Sequence, residues 1–316
     1  MKHFAIHPRR PSRHRYRLSA IASLGLCAAG PLAPSILHAA PAPAACARIA
    51  HSDQSSAQGQ TVLEHITVTA GSGGGVLKAT RQTFAGAAPD ASLDLADAAS
   101  VLLLAAFTGY HNAACSAWLE TEGKAAQAAL ASGHSLDMSW SGASIQHKSL
   151  HIGIDTAHLA LKNGSPDANA TLSFSGVTVS GVTAPTLMPS SANASFTLPQ
   201  SELASLMAAT AGKATSLPAV HVTIHSLTAR RDTIELSGNG HATLTGETGS
   251  TSAGGHLEIH DISALIDHAR QENQMKVAAA LIIARMVSHS TSDGNAWDTT
   301  WAGGVLTVNG VPLPLK

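Results

Sequence analysis

The chain has little cysteine, few aromatic side chains and little charge. Its 316 residues include three Cys, five Phe, four Trp and two Tyr, and 12% of positions are Asp, Glu, Lys or Arg. Sparse aromatics argue against an extended carbohydrate or single-strand groove, where rings and bases need stacking platforms. There is no Gly-x-Ser-x-Gly elbow, no His-Glu-x-x-His and no Cys-x-x-Cys, so the usual hydrolase, zinc-protease and redox signatures are missing. Gly71 to Gly75 lacks the lysine and following helix of a phosphate loop and reads as a turn. No apolar run reaches the roughly 20 residues of a membrane-spanning helix.

One absence is local. The first forty residues contain no acid, yet carry Lys2, Arg9, Arg10, Arg13, Arg15 and Arg17. An apolar stretch from Leu18 follows, interrupted by Gly30 and Pro31, and then the small residues Ala39 and Ala40. Basic, apolar and small-residue regions in that order read as a secretory signal peptide over residues 1–40. Two outcomes stay open: cleavage after Ala39 or Ala40, or retention as an N-terminal anchor. Pro43 stands three residues before Cys46, where a lipoprotein signal wants an aliphatic side chain. Pro11 and Ser12 after Arg9-Arg10 disfavour a twin-arginine route. General secretion, to the periplasm or beyond, is the expected path.

Removing this segment changes the charge. It takes six of the 19 basic residues and none of the 20 acids, leaving 13 against 20 and a formal charge of −7. No basic run survives, so nucleic-acid binding and adhesion to anionic membranes lose their usual electrostatic basis. Cys27 leaves too. Cys46 and Cys115 remain, and two cysteines in an oxidising compartment predict one disulfide.

Residues 41–60, rich in Ala, Pro, Ser and Gln, read as a flexible lead-in, and residues 61–316 as a single α+β domain. β-Branched residues predict strands at 61–70 and 76–84, joined by the glycine turn. Helical spacing of Leu93, Leu95, Ala98, Leu102 and Ala105 predicts a helix over 90–109, and a second follows over 115–131. Strands are expected at 135–140, 143–154, 157–162 and 168–182, with Asn163-Gly164 as a hairpin signal. A short helix over 201–210, open to capping by Ser201, precedes strands at 219–227, 232–238, 241–245 and 256–262. A long helix over 262–289, breaking near Glu272-Asn273, carries Leu265, Ile266, Met275, Ala279, Ile282, Ile283 and Met286, which can form one apolar stripe. The apolar patches at 101–107 and 277–283 are expected as buried helix, and a final strand spans 304–314. The fold class is α+β: a large, mainly antiparallel, curved sheet with several covering helices.

Fourteen histidines follow residue 40, and three pairs are spaced His-x-x-x-His: His147/His151, His221/His225 and His256/His260. On a helix each pair would present two imidazoles on one face, ready for zinc. Val222-Thr-Ile224 and Leu257-Glu-Ile259 are strand formers, and on a strand positions i and i+4 lie about 13 Å apart at a rise of about 3.3 Å per residue. The histidines are therefore expected on the wetter face of the sheet, with no metal, cofactor or catalytic residue assigned. Trp297 and Trp301 are expected in core or edge packing.

The run Val277-Ala-Ala-Ala-Leu-Ile-Ile-Ala, a polar link and then Gly304-Val-Leu-Thr-Val-Asn-Gly-Val-Pro-Leu resemble the C-terminal end of uncharacterised bacterial envelope proteins, akin to the YdgA-like and AsmA-like groups. That resemblance covers about a fifth of the chain. It implies a periplasmic, non-enzymatic protein with a long curved sheet that handles lipid or assists envelope assembly, and it supplies no catalytic residues. The expectation is an exported, non-enzymatic protein whose sheet binds an apolar ligand, a lipid or an envelope partner protein. Two alternatives stand beside it: a secreted hydrolase with a histidine-containing site, and a surface adhesion or structural domain.

Overall fold

A computed structural model of the chain describes residues 41–57, 59–86, 89–212, 218–245, 250–291 and 294–313. The signal segment expected over residues 1–40 lies outside them. The described residues open with four strands, β1 (Ala47–Ala50), β2 (Asp53–Ala57), β3 (Gln60–Ala70) and β4 (Val76–Ala85). Two helices follow, α1 (Pro89–Thr108) and α2 (Ala113–Ala131). Next come β5 (Leu136–His147), β6 (Leu150–Gly164), β7 (Asp167–Ser175), β8 (Thr178–Ser180) and β9 (Ser191–Pro199), then α3 (Leu203–Ala211). The second half runs β10 (Val220–Arg231), β11 (Ile234–Leu244), β12 (Ser252–His260), α4 (Ile262–Gln271) and α5 (Met275–Met286). It closes with β13 (His289–Ser290), β14 (Asn295–Ala302), β15 (Val305–Val308) and β16 (Val311–Leu313).

Among the described residues all sixteen strands join one open antiparallel sheet, in the order β1-β3-β4-β5-β6-β7-β9-β10-β11-β12-β14-β15-β16, with β2 on β3, β8 on β6 and β13 on β14. The α+β class expected from the sequence is the class observed. Strand residues alternate between faces, so the register decides which side chains meet. One cross-strand row reads Phe84, Met138, Leu159, Leu172, Ala194, Leu227, Gly238, Leu257, Trp297. A neighbouring row reads Leu136, Leu161, Ala170, Phe196, Ile224, Gly240, Gly255, Thr299, Val308. One face is thus apolar almost from end to end. The opposite face carries polar residues such as His221, His241 and His256.

Helices cover that apolar face in two places. α1 to α3 pack over the first half and form the main core with Leu63, Val68, Leu77, Phe84 and Ile145. From Asp94 to Ala105 α1 is buried or half-buried all round, with Leu95, Ala96, Val101 and Leu104 enclosed, the pattern of a helix surrounded by protein, and Asp94, Asp97 and Ser100 are its polar members there. α2 starts at Asn112, whose side-chain oxygen accepts the Ala114 N–H. At Gly123 it meets α3 so closely that a Cβ would lie 2.4 Å from the Ala204 Cα. A smaller core under α4 and α5 gathers Ile262, Ile266, Trp297 and Val308.

Several expectations need correction. Residues 41–60 hold two strands rather than a flexible lead-in, because β1 and β2 both pair with β3. β5 passes through Ser141-Gly142, where a break was expected; Gly142 adopts φ +59°, and a Cβ there would meet Thr80 Oγ1 at 2.7 Å. Ser201 does not cap α3. A short 3₁₀ turn over Gln200–Glu202 comes first, and the N-cap is Glu202, with no side-chain capping bond. The last strand is a hairpin, β15 and β16, turning at Asn309-Gly310, and β14 with both tryptophans precedes it. The long helix does break at Glu272–Gln274, giving α4 and α5. Yet α5 is not a buried helix. Ala278 is its one buried residue, while Met275, Ile283 and Met286 are 63%, 52% and 81% exposed.

Candidate apolar ligand site

Between the sheet and the first three helices lies a cavity of about 230 Å³. Its floor comes from four adjacent strands: Leu136, Met138 and Trp140 of β5, Leu159 and Leu161 of β6, Leu172 and Phe174 of β7, and Phe196 and Leu198 of β9. Alternation puts each of these on the same face, and the register aligns them into rows. The roof is a stripe of α1 at i, i+4, i+7 and i+11 (Leu95, Ala99, Leu102, Ala106), with Leu103 beside it and Leu203, Leu206, Met207 and Thr210 of α3. Ala126 of α2 completes it. Among the described residues nineteen line it; Thr210 brings a hydroxyl and Trp140 an indole N–H, and the rest are wholly apolar.

The cavity has a closed and an open side. Leu95, Leu103, Leu136, Trp140, Leu198 and Leu203 are buried, whereas Leu102, Leu172, Phe174, Phe196 and Leu206 are half-exposed. At the open side the Phe107 ring meets Phe174 edge-on, centroids 5.2 Å apart. Beyond Phe196 the apolar face continues onto Ile224, Leu227, Leu257 and Trp301, over a floor of Gly238, Gly240 and Gly255. Gly240 and Gly255 sit opposite each other so tightly that a Cβ on Gly255 would lie 2.8 Å from the Gly240 Cα.

A buried polar chain holds roof and floor together. Gln82 Nε2 donates to the Ala96 carbonyl at 2.8 Å, Ser100 Oγ donates to Gln82 Oε1 at 3.1 Å, and Trp140 Nε1 donates to Ser100 Oγ at 2.9 Å. Gln82 and Ser100 are fully enclosed. Each polar atom in this chain is satisfied by the next, which removes the penalty of burying it and sets the plane of the Trp140 ring.

The helix layer also contains two unusual acids. Glu122 of α2 is fully enclosed, and among the described residues neither of its carboxylate oxygens has a hydrogen-bond partner. The Oδ1 of Asp97 on α1 and the Trp118 Nε1 are likewise unpaired. Burial, followed by repulsion from Asp94, raises the Asp97 carboxyl from an ordinary 3.8 to about 7. Burial, followed by repulsion from Asp94 and Asp97, raises Glu122 from 4.5 to about 7. These acids are protonated in the folded chain below neutrality.

Cys46 and Cys115 are bonded, their Cα atoms 4.8 Å apart, which joins the start of the sheet to α2. The Tyr110 hydroxyl donates to the Cys46 carbonyl at 2.8 Å, and Asn112 Nδ2 donates to the Ala45 carbonyl at 2.7 Å, so the residues beside the bond are held as well.

The spaced histidines do not converge. His221 and His225 lie on β10 and His256 and His260 on β12, all exposed, while His147 ends β5 and His151 is the second residue of β6. Four of them have partners of three kinds: His221 with the Glu202 carboxylate and His256 with that of Asp298, each at 3.0 Å, His225 with the Thr197 hydroxyl, and His151 with the Ser149 carbonyl. His158 pairs with the Asp137 carboxylate. Among the described residues no three His, Cys, Asp or Glu groups are placed to hold a metal ion. Trp297 is buried and donates to the Ala284 carbonyl at 2.7 Å, which ties β14 to α5.

Among the described residues no helix is long and apolar enough to cross a membrane. The cavity itself went unassigned in the sequence reading. Its signal was present in the every-second-residue series Leu136/Met138/Trp140, Leu159/Leu161, Leu172/Phe174 and Phe196/Leu198, but no short motif marks it. Compared with protein-family models, with curated proteins and with solved structures, the chain matches none.

Proposed function

We propose that this is an exported, non-enzymatic protein that binds an apolar ligand between its sheet and the α1–α3 layer. The observation that carries the reading is the cavity lining, which among the described residues is apolar but for Thr210 and the indole N–H of Trp140. Its volume is below the about 300–1,000 Å³ of pockets that enclose drug-sized molecules. It suits a single hydrocarbon chain rather than a whole lipid. A longer ligand would extend past Phe174 and Phe196 onto the apolar strip around Ile224 and Leu257. Export agrees with the signal-like N-terminus and with the Cys46–Cys115 disulfide. The likeness of the last strands to periplasmic envelope proteins points the same way.

The test is direct. Protein purified from its native compartment is washed, denatured and extracted, and the extract is analysed by mass spectrometry; the purified protein is also titrated with a fluorescent fatty-acid analogue. A stoichiometric acyl-bearing species, or saturable binding displaced by unlabelled fatty acid, is the expected result. An empty extract together with no saturable binding overturns the proposal.

A further inference from the structure

We propose that α5 is a membrane-surface anchor that lies in the interface of an anionic phospholipid bilayer. Its outward stripe is Met275, Ala279, Ile282, Ile283 and Met286, at i, i+4, i+7, i+8 and i+11, the spacing of one helix face. A protein core normally receives such a stripe; here it points to solvent. The smaller core behind α5 is reached from its other side, by Leu281 and Ala284. The twelve-residue helix is far shorter than the roughly 20 residues needed to span a bilayer, so the geometry open to it is to lie flat.

Charge identifies the occupant. The chain after residue 40 is net acidic, which rules against adhesion by overall charge, but α5 carries Lys276 and Arg285 and no acid. Arg285 and Arg270 of α4 line a groove of about 390 Å³ beside Ile282 and Met286. Asp267 in the same groove pairs with Arg270 at 3.3 Å, and Arg285 donates to Ser263 Oγ at 3.2 Å. Apolar side chains bordered by guanidinium groups match acyl chains bordered by phosphates. A second copy fits less well: an antiparallel α5 pair would set Lys276 of one chain near Arg285 of the other, cation against cation. This surface lies apart from the cavity and does not depend on its being filled.

The experiment uses vesicles of phosphatidylcholine with phosphatidylglycerol as the minor component, and bromine-labelled acyl chains as a depth probe. Ile283→Trp places a reporter on α5 itself, and the parent chain, with its native Trp118, Trp140, Trp297 and Trp301, is measured alongside so that their quenching is subtracted. The expected result is quenching of the added tryptophan emission. Partitioning of the Ile282→Ser/Met286→Ser double variant should fall roughly tenfold or more, the scale of withdrawing two large apolar side chains from the bilayer. Both residues are exposed, and an unchanged circular-dichroism melt confirms folding. The proposal is overturned if the reporter stays unquenched, whether or not the protein sediments with vesicles. It is equally overturned if the double variant binds as well as the parent, or if α5 proves to be covered by a concentration-dependent dimer that the double variant abolishes.

Discussion

Trp140 on β5 donates its indole N–H to the hydroxyl of Ser100 on α1, and this bond joins the floor of the cavity to its roof. Ser100 also binds Gln82, so one hydroxyl serves two enclosed partners from the sheet. Ser100→Ala strands both the indole N–H and the Gln82 carbonyl oxygen. The expected loss is about 1–3 kcal/mol, the range for unsatisfied buried polar groups. Urea unfolding measures it, and a loss within error would show that the bond is not structural.

Filling the cavity separates ligand binding from folding. Ala99 sits on the α1 stripe facing the space, and Ala99→Leu places three more carbons into it. Saturable uptake of the fatty-acid probe is expected to fall at least several-fold. The melting temperature should hold or rise, because the added atoms occupy empty space instead of displacing neighbours. Unchanged uptake would locate the ligand elsewhere.

Asp97 and Glu122 make stability depend on pH with a definite sign. Both hold their protons to about pH 7 in the folded chain, against 3.8 and 4.5 ordinarily. Across that interval the folded state binds more protons than the unfolded state, so unfolding becomes easier as pH rises. The contribution is fully present below the ordinary values and lost once pH passes about 7. A melt at about pH 5 should therefore exceed one at about pH 8, and the Asp97→Asn/Glu122→Gln variant should flatten the difference. A parent melt that climbs toward pH 8 would contradict this.

Reducing the Cys46–Cys115 bond frees a loop of 69 residues. In the chain-entropy model the bond is worth about 4 kcal/mol for a loop of that size. The midpoint of denaturation should drop in reductant, and Cys115→Ala should reproduce the drop without it.

Zinc is expected to leave the melting temperature unchanged at a few equivalents. His221 and His225, like His256 and His260, sit four residues apart on single strands, about 13 Å from partner to partner. A stabilisation that Glu202→Gln or Asp298→Asn removes would reverse that conclusion.

Local patterns carried most of the architecture. The period of two at Thr61 to Ala70 and the period near 3.6 from Leu93 to Ala105 are local, and so are the breakers at Gly71 to Gly75 and at Asn273; the elements they predict are present. What failed depended on distant partners. Ser141-Gly142 reads as a break, yet β4 and β6 on either side carry β5 through it. Residues 41–60 have the composition of a tail, and become strands because β3 offers an edge and Cys115 offers a bond. For α5 the stripe was legible but not which way it faces, since Ala278, Leu281 and Ala284 are apolar as well. The cavity was hidden for a similar reason. Its lining comes from seven elements across more than a hundred residues, and no single segment holds enough of it to be noticed.

Gly123 allows α2 to rest against the backbone of α3, and the Cys46–Cys115 bond clamps α2 to the first strand. Together these make a mechanical linkage. Tension applied to the chain ahead of Cys46 would travel through the bond into α2, and from α2 into α3 at the edge of the cavity. It would not first peel β1 from β3 one hydrogen bond at a time. Wherever the N-terminus is held, a pull on it is felt by the helices around the cavity before the sheet begins to open.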